Sequence, residues 1–501
     1  MYTQAIIILM KKQHMTRLIW SLSATLLILT LFSQSQSTPL DDYVNAPDDH
    51  YIYQEIASFR GPDYTMYTYN MTSQKWKDER FVDRPIWWHY LTVTIPDKMV
   101  FDSAYLLIDG GSNSDSLPSV TDPFVALTTL FAASTGAISA DLKMVPNQPI
   151  VFNADPEKKK RGEDAIIAWT WKTFVMTNSS DPEILLRMPM TKAAVRALDT
   201  ITSIAASKVG RTVDKFFVSG ASKRGWTTWT TGAVDKRVVA IAPIVMDLLN
   251  MVKNLHHHYQ SLGGWTFALS DYYDVNFTSD LDNPNTQKMA NIIDPISYND
   301  RFINKPKYII TTGGDEFFIP DNSDYYFDQL KGPKYLRKLP NADHSCVGHV
   351  IDLMFSLRAF FLSVMLNEPL PKMEWIKVTT SNGGKILLTL DRQPLTIHAF
   401  YAQTLDGKRR DFRLLRGTPG NPRKPQIHPV IWLTRDVTAL GNGTFQVEFE
   451  NPKEGWLAFF IQVAFPGLMD SVLEFTTQAM IIPNTFPFED CHGEKCLGEL
   501  V

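Results

Sequence analysis

The chain has 501 residues, of which 44% are hydrophobic, 12% aromatic and only 20% charged, with a formal net charge of −4. That balance supports a large buried interior and excludes long disordered tracts, and the lack of a dense Lys/Arg stripe removes the electrostatic case for a nucleic-acid partner. The length exceeds one typical domain, so a catalytic-size domain plus a smaller module is expected.

At the start, Lys11, Lys12 and Arg17 precede an apolar run over 18–32, followed by Ser33-Gln34-Ser35-Gln36-Ser37. This is the pattern of a secretory signal peptide over 1–37. Initiation at Met15 gives a tidier basic region, and an uncleaved anchor is disfavoured because the run is shorter than the roughly 20 residues that span a bilayer. The mature chain is therefore expected to be secreted and extracellular, with no stable membrane insertion. Asn70, Asn178, Asn276 and Asn442 head Asn-x-Ser/Thr triplets, the acceptor pattern for glycosylation.

The segment from 51 to 108 reads as successive strands: Leu91, Val93 and Ile95 alternate with threonines, and 104–108 is a short buried run. Alternating helices and strands follow, which predicts a mostly parallel sheet covered on both faces. Thr191 is expected to cap a helix with Ala194, Val195, Leu198, Ile201 and Ala205 on one face and Gly210 at its end. Further strands are expected at 216–218, 238–245 and 308–311, and a largely buried helix at 353–366 closes a domain over 38–371. Within it, an aromatic insert near 247–290 is expected to pack as helices or to wall a pocket. The texture then changes: Asn382-Gly383-Gly384 between the runs at 375–378 and 386–388 is a hairpin signal, and candidate strands at 396–401, 430–433, 445–449 and 456–463 predict a sandwich-like β-rich module over 372–480. In the polar tail, 481–501, Cys491 and Cys496 are expected to form a disulfide, leaving Cys346 unpaired. No metal or other cofactor is expected. A zinc reading of Cys491, His492 and Cys496 lacks a fourth ligand, the adjacent His256-His257-His258 diverge around a helix, and the basic run 158–161 reads as a solvated loop.

Gly220-Ala221-Ser222-Lys223-Arg224-Gly225-Trp226 follows the strand at 216–218. Small residues before a serine at a strand-to-helix turn are what a strained nucleophile elbow needs, although the glycine falls three residues after Ser222 instead of two. After the strand at 308–311, Gly313-Gly314-Asp315 offers an acid, and Asp343-His344 precedes the closing helix. Serine, acid, histidine is the order of an α/β-hydrolase triad: Ser222 attacks a carbonyl, His344 takes its proton and Asp315 orients the imidazole. Glu316, Asp321 and Asp324 compete with Asp315, each with a solvated surface reading. The Lys223 N–H, with Gly110 or Gly111, is the expected oxyanion donor set.

The blocks 163–168, 190–199, 220–227 and Arg410-Asp411-Phe412-Arg413 resemble the PhoPQ-activated pathogenicity-related family, which also includes secreted autocrine proliferation repressors. The resemblance runs over nearly all of the mature chain. It implies an α/β-hydrolase domain related to dipeptidyl-peptidase and acetyl-esterase groups, with a β-rich C-terminal extension. Two functions follow as expectations. One is a serine hydrolase acting on a small-molecule or peptide substrate at an ester or peptide carbonyl, for which Glu163-Asp164 is a candidate grip on a substrate ammonium. The other is a secreted ligand restraining proliferation through a cell-surface receptor, with little or no catalysis.

Overall fold

The computed structural model describes residues 37–501, so the signal-peptide reading, apart from Ser37, lies outside the described residues. The described chain opens on helix α1 (Pro39–Asn45), started by a Thr38–Asp41 capping box that satisfies donors at both ends of its first turn. Three long antiparallel strands follow, β1 (Ile52–Arg60), β2 (Tyr64–Lys75) and β3 (Ile86–Pro96). The chain then winds through β4 (Ser103–Ile108), helix α2 (Pro123–Thr135) and β5 (Ile138–Leu142). Next come α3 (Glu163–Met176), α4 (Arg187–Val209), β6 (Lys215–Ala221), α5 (Lys223–Val234) and β7 (Val238–Ile244). Helices α6 (Met251–Leu262) and α7 (Pro284–Ile293) form the insert, before β8 (Lys307–Thr312), β9 (Lys334–Leu339) and α8 (Val350–Met365).

The nine strands form one sheet in the order β1-β2-β3-β5-β4-β6-β7-β8-β9. From β5 to β9 every pairing is parallel. All six residues of β8 are buried, as expected for a strand covered on both faces. The order reverses at β4, so loops following β4 and β6 gather at the carboxyl edge, where such sheets place their sites. This sheet, its helical layers and the strand–Ser222–helix turn make an α/β-hydrolase fold.

Helix boundaries depart from the expectations in instructive ways. Thr191 does not cap α4, which begins a turn earlier at Arg187; its hydroxyl instead bonds the Arg187 carbonyl and Thr230 at 2.7 Å each. Gly210 does end that helix, at φ 66°, in the left-handed conformation glycine adopts without strain. Helix α8 is buried on one side only, for Ile351 and Phe355 are over half exposed. In the basic run, Arg161 is buried, ion-paired to Asp155 at 2.9 Å and seated over the Trp169 ring.

Beyond α8 lie two further sheets and a separate two-stranded ribbon that pairs Leu415–Thr418 with Asn421–Ile427. One sheet contains the hairpin Met373–Thr379 and Gly383–Leu390; the other is built on Thr396–Gln403 and Leu457–Pro466. The strand expected at 430–433 is displaced to Leu433–Arg435, while Val430 and Trp432 are buried as packing residues. Core continuity was not foreseen: Phe217 and Tyr308 of the large sheet, Phe360 and Phe361 of α8, and Leu388, Phe459 and Phe475 of the module belong to one apolar cluster. Tyr308 stacks on Phe360 at 4.9 Å, and its hydroxyl donates to the Glu474 carbonyl. Nor is the tail a free polar segment. Cys491 and Cys496 are disulfide-bonded and buried, and Trp265 of the insert donates its indole N–H to the Cys496 carbonyl at 2.9 Å.

Candidate active site

Ser222 sits between β6 and α5 with φ 57° and ψ −123°, a strained conformation for a residue with a Cβ. Its N–H is tied to the Ile244 carbonyl at 2.8 Å, which pins the turn to the neighbouring strand. The glycines leave room for this. A Cβ on Gly220 would lie 2.7 Å from the Arg224 carbonyl oxygen, and one on Gly225 would lie 2.8 Å from that of Ile244. The shifted glycine thus has a reason: Gly225 faces β7, and Arg224 points away from it.

The structure brings Ser222, His344 and Asp315 together. His344 Nε2 is 2.8 Å from Ser222 Oγ, and its Nδ1 is 2.9 Å from both Asp315 carboxylate oxygens. Asp315 also accepts the N–H groups of Phe317 and Phe318, which fix the carboxylate in its turn. Burial opposes a charge on His344, but the adjoining Asp315 carboxylate outweighs it and lifts the imidazole above its ordinary pKa.

The competing acids are engaged elsewhere, and two are not solvated as expected. Glu316 is buried and accepts the His344 backbone N–H at 3.0 Å; burial and the Asp315 charge push its carboxyl up to about 7. Asp321 is buried between Arg410 at 2.7 Å and His257 at 2.9 Å. Asp324 pairs with Lys377.

Lys223 opens α5, so its N–H has no acceptor within the helix and remains a candidate oxyanion donor. Gly110 does not meet its expected role: its N–H is donated to the Asp109 carboxylate at 2.6 Å, and Gly110 and Gly111 line a separate concavity with Lys143. The Arg224 guanidinium also covers Gly110, so closely that a Cβ there would lie 2.8 Å from Nη2.

Glu163 and Asp164 are not free to grip an ammonium. Lys223 Nζ lies 2.7 Å from Glu163 and 2.9 Å from Asp164, and Arg224 holds Glu163 at 2.6 Å. Burial opposes ionisation of Glu163, yet these two cations hold its carboxyl down at about 2.

Two apolar concavities flank Ser222 and His344. One, ≈ 730 Å³ counted out to solvent, runs under the insert and is walled by Trp171, Trp226, Trp265, Tyr272, Phe277 and Phe317. The other is lined by Tyr105, Phe124, Leu353 and Met354 beside His344. Of the three histidines, His257 pairs with Asp321, His258 stacks on Trp265 and His256 hydrogen-bonds Asp490. His256, Asp282 and His492 bring ligand atoms within 4.8 Å of one another, but Cys491 and Cys496 are joined to each other and offer no thiolate. The sequence reading missed Arg187, which lines the concavity under the insert, and the role of Asn341, which ties the histidine loop to the distant Trp432. Neither carries a local signal.

The sequence profile of the family described as PhoPQ-activated pathogenicity-related protein matches residues 40–413. The chain is 37% identical over 488 residues to autocrine proliferation repressor protein A of Dictyostelium discoideum, covering 95% of this chain and 96% of that protein. Among solved structures, an acetyl xylan esterase from a Paenibacillus species aligns with 64% of this chain and 91% of its own at 14% identity and a TM-score of 0.44. Acetyl xylan esterase 1 from a Thermoanaerobacterium species aligns with 64% and 92% at 15% identity and a TM-score of 0.42. With its profile match over most of its length and a relative this similar from end to end, the chain belongs to the PhoPQ-activated pathogenicity-related protein family.

Proposed function

We propose that this protein is a secreted serine hydrolase that cleaves an ester carbonyl with Ser222 as nucleophile, His344 as general base and Asp315 as its orienting acid. The observation that carries the reading is the imidazole of His344 spanning Ser222 Oγ at 2.8 Å and Asp315 at 2.9 Å. In the first half-reaction, Ser222 Oγ bonds to the carbonyl carbon and its proton passes to Nε2, with the Lys223 N–H facing the developing oxyanion. The proton then goes to the departing alcohol oxygen as the C–O bond breaks. Water repeats the sequence on the acyl-serine and regenerates the hydroxyl.

An ester is favoured over an aminoacyl peptide because Glu163 and Asp164, the candidate carboxylates for a substrate ammonium, are already neutralised by Lys223 and Arg224. Secretion is supported by the Cys491–Cys496 disulfide and by the exposure of Asn70, Asn178, Asn276 and Asn442, the four glycosylation candidates. Among the described residues no helix is long and apolar enough to cross a membrane.

The relative named autocrine proliferation repressor favours a second reading, a secreted ligand that restrains proliferation through a cell-surface receptor. Labelling by a fluorophosphonate probe separates the two. The hydrolase reading expects Ser222 to be modified in the purified protein and labelling to vanish in Ser222→Ala and His344→Ala; an unlabelled wild-type protein leaves the ligand reading. Faster turnover of an aminoacyl than an acetyl chromogenic substrate would reverse the ester preference.

A further inference from the structure

The concavity under the insert beside Ser222 is lined mostly by apolar and aromatic side chains but contains a guanidinium. Arg187, at the start of α4, is only 1% exposed. Its Nη1 donates to the Lys223 carbonyl at 2.7 Å, and the group lies 4.5 Å from the Trp226 ring centroid. Its Nε and Nη2 have no hydrogen-bond partner among the described residues. These two nitrogens form the side edge of the guanidinium, which receives both oxygens of one carboxylate.

The nearby anions are already used. Asp164 gives one oxygen to Lys223 at 2.9 Å and the other to the Tyr272 hydroxyl at 3.0 Å, while Glu163 is shared by Lys223 and Arg224. Arg187, Lys223 and Arg224 thus stand against two carboxylates, and the surplus positive charge falls on Arg187, which is among the cavity's lining residues and whose Nε and Nη2 are unpartnered among the described residues. A buried charged donor left unpaired is strongly unfavourable, which favours an anion as its partner.

We infer that this cavity recognises a carboxylate-bearing ligand, its anionic end on Arg187 and its apolar body between Trp171, Phe277 and Phe317. Resting on the hydrolase reading, the preferred substrates are esters that carry a free carboxylate. A single carboxylate suits the site better than a phosphate, whose second charge would face Asp164 in the same cavity.

Binding tests this without chemistry. The full-length Ser222→Ala protein is titrated calorimetrically with 3-phenylpropionate and with its uncharged counterpart 3-phenylpropanamide. The acid is expected to bind at least ~10-fold more tightly, and that preference is expected to disappear when Arg187→Met is added. Equal affinities, no binding of either compound, or a preference that survives Arg187→Met would each overturn the proposal. Should Arg187→Met fail to fold, the acid-to-amide ratio on Ser222→Ala alone decides. Failure of fluorophosphonate labelling would remove the hydrolase reading while leaving this ratio measurable, so the two failures are distinguishable.

Discussion

Asn341 and Trp432 hold each other through a reciprocal pair of hydrogen bonds: the Asn341 side-chain amide donates to the Trp432 carbonyl at 2.9 Å, and the Trp432 N–H donates to Asn341 Oδ1 at 2.7 Å. Asn341 begins the loop that ends in His344, and Trp432 belongs to the C-terminal module. The same tryptophan packs on the acid turn, where a Cβ on Gly313 would lie 2.6 Å from its indole nitrogen. The β-rich module thus backs both segments that present His344 and Asp315.

Removing that brace should misplace the base without emptying the site. Asn341 has φ 54°, so Asn341→Gly deletes both side-chain bonds without adding backbone strain. Ester turnover is expected to fall roughly 10- to 100-fold in kcat with KM little changed. Stability should drop by about 1–2 kcal/mol. Steady-state kinetics and a urea melt check both.

The pH response follows from the direction of the His344 shift. Catalysis needs neutral Nε2, and Asp315 raises the imidazole above its ordinary value, so kcat/KM should climb along a limb centred above about 6.5. Asp315→Asn should move that limb downward and cut kcat by roughly 10³- to 10⁴-fold. The stability contribution has the opposite sense: a raised histidine stabilises the fold fully below its unfolded pKa, and this is lost as pH rises through the folded one. Glu316, pushed up to about 7, loses stability over the same region, from its unfolded value upward, because the fold favours its protonated form. A Glu316→Gln protein should therefore lose less stability between pH 5 and 8 than wild type, as read by thermal melts across that range.

At Gly225 the argument is steric. An added methyl would lie 2.8 Å from the Ile244 carbonyl oxygen, 3.0 Å from Met246 Cβ and 3.1 Å from the Gly220 carbonyl oxygen, and backbone cannot yield as a flexible side chain does. Gly225→Ala is expected to destabilise by about 1–3 kcal/mol and to lower fluorophosphonate labelling of Ser222 by displacing the elbow. A variant with unchanged melting and labelling would show that the close approach is not required.

Much was legible before any coordinates because it is written in local pattern. The β6–Ser222–α5 turn follows from small residues flanking a serine after an apolar strand, and Gly313-Gly314-Asp315 and His344 stand where strand ends place them. The hairpin around Asn382-Gly383 is also a matter of neighbours along the chain. What tertiary structure alone decided involves residues far apart in sequence. Arg224 covering Gly110, Lys223 drawing Glu163 and Asp164 away from any ligand, Arg187 left with an unpaired edge, and Trp432 bracing Asn341 all depend on which charged and polar groups meet after burial. Periodicity records which face of an element is apolar, but the partner of a buried charge is chosen by the packing of distant segments, where leaving it unpaired is costly.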